Sequence, residues 1–91
     1  MCPLCSGEAL TTFVHWKIMK NAFPYDGIAR VHDMLVPLRH ITEAELTKEQ
    51  HQELFDIKHT YLNEKYEYIM EATNSVKSIP GHFHLHLIVT K

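Results

Sequence analysis

The stretch that most constrains this chain is residues 81–90, where three histidines alternate with apolar residues and an apolar run follows. Strict alternation is typical of a β-strand with one buried face. Successive side chains of a strand point to opposite faces, so His82, His84 and His86 should form a row on one face. Three imidazoles on an open face predict a site for a metal ion or a phosphate. The apolar residues expected to face a core are Phe83, Leu85, Leu87 and Val89.

The composition is that of a globular protein, and it argues against several classes of function. With 91 residues the chain is long enough for one domain, which we place at residues 1–91. Apolar residues make up 45% of the chain and charged residues 22%, which are ordinary values. A net charge of −2 argues against broad electrostatic binding to nucleic acid. No apolar run reaches the roughly 18 residues of a transmembrane helix, so we expect no membrane partner.

The N-terminal residues predict a location and a possible metal site. No apolar segment follows a basic start, so we find no signal peptide and expect a cytoplasmic protein. The spacing of Cys2 and Cys5 lets two thiolates bind one tetrahedral metal ion. Three interpretations compete: half of a zinc site, a redox disulfide, or two inert cysteines. Zinc is favoured because no strand precedes the pair, as a thioredoxin-like motif would require.

Two strands are predicted in the first half of the chain, over residues 10–19 and 30–36. In the first strand, alternation places three apolar side chains on the core face and His15 on the opposite, exposed face. The turn-forming residues 21–27 connect the two strands. Pro37 ends the second strand because proline cannot donate to the ladder. The three core-facing residues of the first strand are Val14, Trp16 and Ile18.

The periodicity then changes to that of a helix. Capping boxes that begin at Thr42 and Thr47 predict one short turn and then a helix over residues 48–64. His51 and His59 lie eight residues apart, which is not the spacing of a helical metal-binding pair, so both are predicted to be surface residues. The apolar stripe of this helix consists of Leu54, Ile57, Tyr61 and Leu62.

The last third of the chain completes the predicted fold. Residues 66–71 alternate and contain aromatic side chains, which favours a strand, and a polar connection over residues 73–81 leads into the histidine strand. The order of elements predicts an α+β fold, in which an antiparallel sheet of about four to five strands packs against one long helix. A domain of this size buries only about 60–65% of its unfolded surface, so a partner would stabilise it. We expect a homodimer, with the long helix or an adjacent strand in the interface.

The histidine pattern resembles the histidine triad, the His-φ-His-φ-His-φ-φ motif of the HIT superfamily, in which φ is apolar. Three upstream segments also resemble this family, in the same order along the chain. The resemblance covers nearly the whole chain and implies a HIT-like, purine-nucleotide-binding fold with chemistry at phosphorus. The three segments are Asn21-x-x-Pro24-Tyr25, Leu35-Val36-Pro37-x-Arg39-His40 and Leu46-Thr47.

The resemblance implies roles for individual residues. It makes His84 the nucleophile that attacks the α-phosphorus of a nucleotide, forming a covalent nucleotidyl-histidine that water or an acceptor then resolves. A neutral imidazole attacks through one ring nitrogen when the other is held as a donor, usually by a backbone carbonyl. His86 would bind phosphate oxygens and stabilise the charge that develops on them. By the same resemblance, Asn21 contacts the ribose, Phe23 flanks the base, and Ser78 contacts phosphate.

Some members of the family also bind zinc, and this chain has a ligating residue at each of the corresponding positions. Two thiolates and two imidazoles form a closed tetrahedral set, which is structural rather than catalytic. Such a site would tie the N-terminus to the histidine strand. Without a metal, His40 would instead help to bind phosphate. The four implied ligands are Cys2, Cys5, His40 and His82.

Three functions therefore stay open at this stage. The first is a nucleotide hydrolase or nucleotidyl transferase that acts through His84. The second is a zinc-stabilised nucleotide-binding module with little turnover, and the third is a metal protein that uses all three strand histidines directly. For an enzyme, the leaving group is an amine, a second nucleotide, a sugar phosphate or a 5′-adenylated nucleic acid end. The last is the only form in which a nucleic acid partner is expected.

Overall fold

The computed structural model describes residues 3–21, 27–73 and 81–91. Five strands and one long helix make up most of this part of the chain. A short helix, α1 (Pro3–Ser6), and a 3₁₀ turn (Glu43–Glu45) complete it. The strands are β1 (Ala9–Thr12), β2 (Trp16–Lys20), β3 (Ala29–Pro37), β4 (Tyr68–Met70) and β5 (Leu85–Thr90).

The five strands form one antiparallel sheet in the order β1-β2-β3-β5-β4. β5 therefore lies inside the sheet, with β3 on one side and β4 on the other. His86 pairs with Met34 of β3 and with Met70 of β4. Together with the long helix, this arrangement confirms the predicted α+β fold, an antiparallel sheet of four to five strands packed against one helix.

The main core lies between the sheet and the long helix. Trp16 is fully buried, and its indole N–H donates to the backbone carbonyl of Gln50 at 3.0 Å, which ties β2 to the helix. The ring of Phe83 meets the Trp16 ring edge-on, with 6.1 Å between centroids. The other buried residues of this core are Ile18, Leu35, Leu46, Leu54, Ile57, Leu62, Leu85 and Leu87.

The long helix begins where the capping box predicts. The Thr47 hydroxyl accepts the Gln50 N–H at 3.1 Å, and the side-chain oxygen of Gln50 accepts the Thr47 N–H at 2.7 Å. A π-helical turn later in the helix adds a residue to one turn, so that Leu62 reaches the buried face although it follows Ile57 by five positions. The helix consists of α2 (Lys48–Ile57), the π-helical turn (Lys58–Leu62) and a last α-helical turn (Asn63–Lys65).

The prediction of one strand over residues 10–19 is wrong, because the chain reverses between β1 and β2. Val14, predicted to face the core, is 75% exposed in this turn. The carboxylate of Glu53 accepts the backbone N–H groups of Val14 and His15 at 3.0 and 2.7 Å. The long helix thus stabilises the turn through a contact that alternation along the chain does not reveal.

The other predicted elements are present, with small differences in their boundaries. β3 is longer than predicted by one residue at each end, and β4 is shorter than the predicted strand over residues 66–71. The strand predicted over residues 81–90 begins only at Leu85, so the prediction that His82 and His84 lie on it is wrong. His51 and His59 are exposed, as predicted. No helix in the described part of the chain is long and apolar enough to cross a membrane.

The second face of the sheet is also covered, by the N-terminal segment. α1 places Leu4, which is 2% exposed, against three apolar side chains that form a second buried cluster with it. The ammonium of the buried Lys17 donates to the carbonyl of Gly7 at 3.4 Å. This contact holds the segment that follows α1 to β2. The three partners of Leu4 are Met19, Met34 and Val36.

Candidate functional site

The three histidines of the predicted row lie at the start of β5 and just before it. His86 is the second residue of the strand, whereas His82 and His84 precede it. His82, His84 and His86 are 0%, 3% and 7% exposed, respectively. The prediction of an open histidine face is therefore wrong, because this side of the sheet carries the cluster around Leu4. The rings of His84 and His86 lie together, edge to face, with 5.3 Å between centroids.

A backbone carbonyl fixes the orientation of His84. Its Nδ1 lies 3.0 Å from the carbonyl oxygen of His82, so Nδ1–H donates to that oxygen. A neutral imidazole carries one hydrogen, and its place on Nδ1 leaves Nε2 with a free lone pair. Within the described residues, Nε2 of His84 makes no hydrogen bond. The ring therefore has the arrangement that nucleophilic attack through Nε2 requires.

A fourth histidine, not assigned by the sequence analysis, contacts the row. Nε2 of His32 on β3 lies 2.8 Å from Nδ1 of His86. The side-chain amide of Asn21 lies 3.2 Å from the same Nε2, and the Asn21 N–H donates to the His32 carbonyl at 3.1 Å. Asn21, His32 and His86 thus form one continuous polar chain. The sequence indicates only that His32 lies on the same strand face as Met34. Predicting the contact between His32 and His86 from this also requires knowing that β3 pairs with β5.

Burial keeps the imidazoles of His32 and His86 neutral. Desolvation, with smaller contributions from the charges of His84 and His32, lowers the pKa of His86 to about 4. Burial also lowers the pKa of His32, against the opposing effect of the Asp33 carboxylate. Two neutral rings share a single hydrogen between the facing nitrogens. His86 therefore acts as a neutral hydrogen-bonding group at physiological pH rather than as a cation.

A cluster of metal-ligating atoms lies at the other end of the row. Sγ of Cys5 is 3.3 Å from Nδ1 of His40 and 3.4 Å from Nδ1 of His82, and the three atoms lie within 4.8 Å of one another. Nε2–H of His82 donates to the carbonyl of Pro37 at 3.0 Å, and such a backbone acceptor is the usual support of a metal-binding imidazole. Burial lowers the pKa of His82, which favours the neutral form that binds metals. The cluster can therefore bind a metal ion.

The structure brings together three of the four implied metal ligands. The fourth, Cys2, lies outside the described residues, as do Phe23 and Ser78, the implied base and phosphate contacts. The described cluster contains His82 but neither His84 nor His86. A metal bound directly by all three strand histidines therefore has no support in this geometry.

Two clefts differ in how well they suit a phosphorylated ligand. One, of about 420 Å³, opens beside His32 and is lined by two basic side chains, Lys20 and Arg30, and by one carboxylate, Asp33. The other, of about 490 Å³, lies between the β1–β2 turn and α2, and no histidine of the row lines it. Its lining includes three carboxylates and one lysine, so its net negative charge repels phosphate groups. The smaller cleft is therefore the better candidate, although the other is larger.

The lowered pKa values predict a loss of stability in acid. The pKa of His86 is about 4 in the folded protein and has its ordinary value of 6.5 in the unfolded chain, so the unfolded chain binds more protons between these limits. The free energy of unfolding should therefore fall as the pH falls from about 6.5 towards 4. His86→Gln should flatten this dependence, as measured by urea denaturation across that range. The exposed control His51→Gln should keep the full slope, and an unchanged slope in His86→Gln would contradict the prediction.

Comparison with known proteins gives a structural match and no sequence match. No protein-family model matches the chain, and no curated protein matches it. A HIT family hydrolase from Clostridium thermocellum superposes with a TM-score of 0.63 and 22% identity, over 90% of this chain and 77% of that chain. A structure described as a Hit-like protein has the same TM-score at 17% identity, over 90% of this chain and 84% of that chain. From its sheet order, its long helix and these superpositions, this chain has the fold of the histidine triad proteins.

Proposed function

We propose that the protein is a HIT-type nucleotide hydrolase or nucleotidyl transferase that acts at the α-phosphate of a purine nucleotide. The observation that carries this proposal is the hydrogen bond from Nδ1–H of His84 to the carbonyl of His82, at 3.0 Å. This bond leaves the Nε2 lone pair available for attack on phosphorus. The fold shared with a HIT family hydrolase is consistent with it.

The proposed reaction has two steps at phosphorus. Nε2 of His84 forms a bond to the α-phosphorus while the bond from phosphorus to the leaving group breaks, and the leaving group departs with the electron pair. The histidine ring becomes a cationic nucleotidyl-imidazolium, and its Nδ1–H donates more strongly to the His82 carbonyl. Water or an acceptor then attacks phosphorus, the Nε2–P bond breaks, and the neutral ring is restored as the attacking group loses its proton.

His86 supports both steps as a hydrogen-bond donor. The nitrogen of the Asn21 amide can only donate, so Nε2 of His32 can carry a hydrogen and donate it to Nδ1 of His86 when the Asn21 amide faces His32 with its oxygen. In that arrangement the hydrogen of His86 lies on its own Nε2. That N–H can bind a phosphate oxygen next to His84, whose ring centroid is 5.3 Å from that of His86. Donors that are fixed before the reaction stabilise developing charge without reorganisation. Asn21 contacts His32 and is the last member of this hydrogen-bonded series. Its contact with the ribose, which the resemblance implies, stays a prediction.

The substrate is a purine nucleotide or a nucleotide conjugate. The cleft beside His32 has the size of a small-molecule site, and the cations of Lys20 and Arg30 suit phosphate groups. Phe23 is proposed at the base and Ser78 at the phosphate, by resemblance. The net charge of −2 makes extended nucleic acid a poor partner, so a nucleic acid is proposed only as an adenylated end.

One observation favours the alternative, a zinc-stabilised nucleotide-binding module with little turnover. His84 is only 3% exposed, so a nucleotide has limited access to its Nε2. A module of this kind would bind nucleotide without forming a covalent intermediate. Trapping of the intermediate therefore distinguishes the two functions.

The covalent step predicts distinct effects for two substitutions. His84→Ala should abolish turnover but keep nucleotide binding, because it removes the attacking atom. His86→Ala should lower turnover by roughly 10²–10³, the usual loss for one charge-stabilising donor. Quenching the enzyme with a slowly turned-over nucleotide and mapping the adduct by mass spectrometry should place the nucleotidyl group on His84. An adduct on another residue, or full activity in His84→Ala, would overturn the assignment, and His51→Ala serves as the exposed control.

We propose that the metal bound by the cluster is zinc, with Cys2 as the fourth ligand. Cys5, His40 and His82 offer one sulfur and two nitrogens, a donor set that suits zinc in a structural site. A closed site of four protein ligands leaves no open position for substrate. Bound zinc would supply folding free energy and would join the N-terminal segment to the histidine strand.

Metal analysis tests the zinc site. Protein purified without chelator should contain one zinc ion per chain, and Cys5→Ser should lose it and unfold at a lower temperature, because metal binding is coupled to folding. His59→Asn, which changes an exposed histidine far along the helix, should keep the zinc. Absence of zinc in the unmodified protein would show that the proposal is wrong.

We also propose a homodimer that forms through β4. This edge strand exposes three consecutive large apolar side chains, of which Tyr68 is 59% exposed and Ile69 and Met70 are each 40% exposed. An unpaired strand edge with apolar side chains is a template for pairing with a second copy. Ile69→Lys should therefore give a monomer in sedimentation velocity experiments. Leu10→Lys, at an exposed position on the opposite edge strand, should leave the dimer intact, and a monomeric unmodified protein at micromolar concentration would contradict the proposal.

A further inference from the structure

Two neighbouring residues of β3 show that the cleft beside His32 reaches both faces of the sheet. His32 and Asp33 follow one another on the strand, so their side chains point to opposite faces, and both line this cleft. The pairing of β2 with β3 ends at Lys20, which lies opposite Asp33. The cleft therefore lies at the end of β2, and a ligand in it can extend from the histidine row to the opposite face.

The cleft wall on the opposite face contains a buried carboxylate with one oxygen left to bind a ligand. Asp33 is 8% exposed, and its Oδ2 accepts the hydroxyl hydrogen of Tyr66 at 2.6 Å. Its other oxygen, Oδ1, accepts no hydrogen bond within the described residues. No fully buried side-chain oxygen in this part of the chain lacks a hydrogen bond, so Oδ1 keeps access to solvent. The carboxylate thus presents an acceptor to the cleft.

Lys20 places a cation beside this carboxylate. Lys20 and Asp33 are direct cross-strand partners, and the β-carbons of such partners lie about 4.5–5.5 Å apart. Both belong to the described part of the chain, and there they form no ion pair with each other. A cationic donor and a carboxylate acceptor therefore lie side by side in the cleft without satisfying one another. The walls also include the apolar residues Leu10, Ala29 and Val31, which can contact the faces of a flat ring.

We infer that the cleft selects guanine as the base of the nucleotide, and that Lys20 and Asp33 are the residues that recognise it. This inference rests on the proposed function, because it takes the substrate to be a purine nucleotide. The α-phosphate would lie at His84, and the base would lie at the end of the cleft beyond His32. Arg30, the other cation of the cleft, then stays available for phosphate groups.

The hydrogen-bonding edge of guanine matches this pair of side chains. Its O6 accepts a hydrogen bond, and its N1–H and N2 amino group are adjacent donors. The ammonium of Lys20 only donates, and an ionised carboxylate only accepts. Lys20 can therefore donate to O6 while Oδ1 of Asp33 accepts from N1–H and the amino group. Adenine has an amino group in place of O6 and a lone pair at N1, so both contacts would become repulsive.

Tyr66 makes the carboxylate selective by holding it in place. Burial, with a further contribution from the hydrogen bond to Asp33, raises the pKa of Tyr66, so its hydroxyl stays protonated and donates. An acceptor that is fixed before binding loses little freedom when a ligand arrives. For the same reason it cannot turn away from the lone pair of adenine.

Equilibrium binding of nucleoside monophosphates tests the inference without any turnover. In isothermal titration calorimetry, the unmodified protein should bind guanosine monophosphate more tightly than adenosine monophosphate by roughly 10- to 10²-fold, the usual discrimination by one bidentate contact. Inosine monophosphate, which lacks the N2 amino group, should bind with intermediate affinity. Equal affinities for the guanosine and adenosine nucleotides, or no binding of either, overturn the inference.

Substitutions assign the selectivity to the named residues. In Asp33→Asn the Tyr66 hydroxyl would hold the amide oxygen, so the amide nitrogen would replace Oδ1, repel N1–H of guanine and abolish the preference. Lys20→Met, at an exposed position, should weaken binding of guanosine monophosphate roughly tenfold and leave adenosine monophosphate no weaker, which keeps the test decisive if Asp33→Asn does not fold. Asp56→Asn, in the acidic cleft, should retain the full preference. A full preference that survives in either folded variant at the site overturns the inference.

Base selection and turnover fail independently. A preference for guanosine monophosphate in a protein without turnover would contradict the proposed function and leave the guanine site standing. Turnover of purine nucleotides by a protein that binds both bases equally would contradict the guanine site and leave the proposed function standing.

Discussion

The hydrogen bond from His84 to the carbonyl of His82 is the interaction on which the rest of the site depends. Inside a sheet, strand carbonyls are used by the ladder between neighbouring strands. β5 begins only at Leu85, so the carbonyl two residues before His84 can accept a hydrogen from its side chain. The late start of the strand is therefore what allows a backbone group to set the tautomer of His84. The nitrogen that faces away from this bond is the one that the proposed reaction uses.

Burial of several imidazoles in a small domain requires that their polar atoms find partners. His82 donates to a backbone carbonyl, His86 contacts His32, and no fully buried side-chain nitrogen or oxygen among the described residues lacks a hydrogen bond. The same burial lowers the pKa of His86 to about 4, chiefly by desolvation. The network thus holds neutral groups in fixed positions, and a site of this kind loses little energy to reorganisation when charge develops.

The parts of the molecule that depend on local patterns could be predicted from the sequence, and those that depend on distant contacts could not. The capping box at Thr47 and the alternation after Gly81 are local, and they identify the helix and the last strand, although that strand begins at Leu85 and leaves His82 and His84 outside it. The turn at Val14 depends on a carboxylate from the long helix, so alternation alone placed that residue in the core. His32 is linked to His86 by the pairing of β3 with β5, which no periodicity encodes.

The neutrality of His86 bears on how the proposed active site would select the transition state over bound substrate. Burial holds the pKa of His86 at about 4, so this ring offers a bound phosphate no full positive charge before attack. In the proposed reaction, the ring of His84 becomes cationic next to the phosphate oxygens as the Nε2–P bond forms, and the His82 carbonyl accepts a stronger hydrogen bond. Both attractions grow only along the reaction, and interactions of this kind raise kcat rather than tighten substrate binding. A permanently charged imidazole would bind the ground-state phosphate as well and would lose this difference.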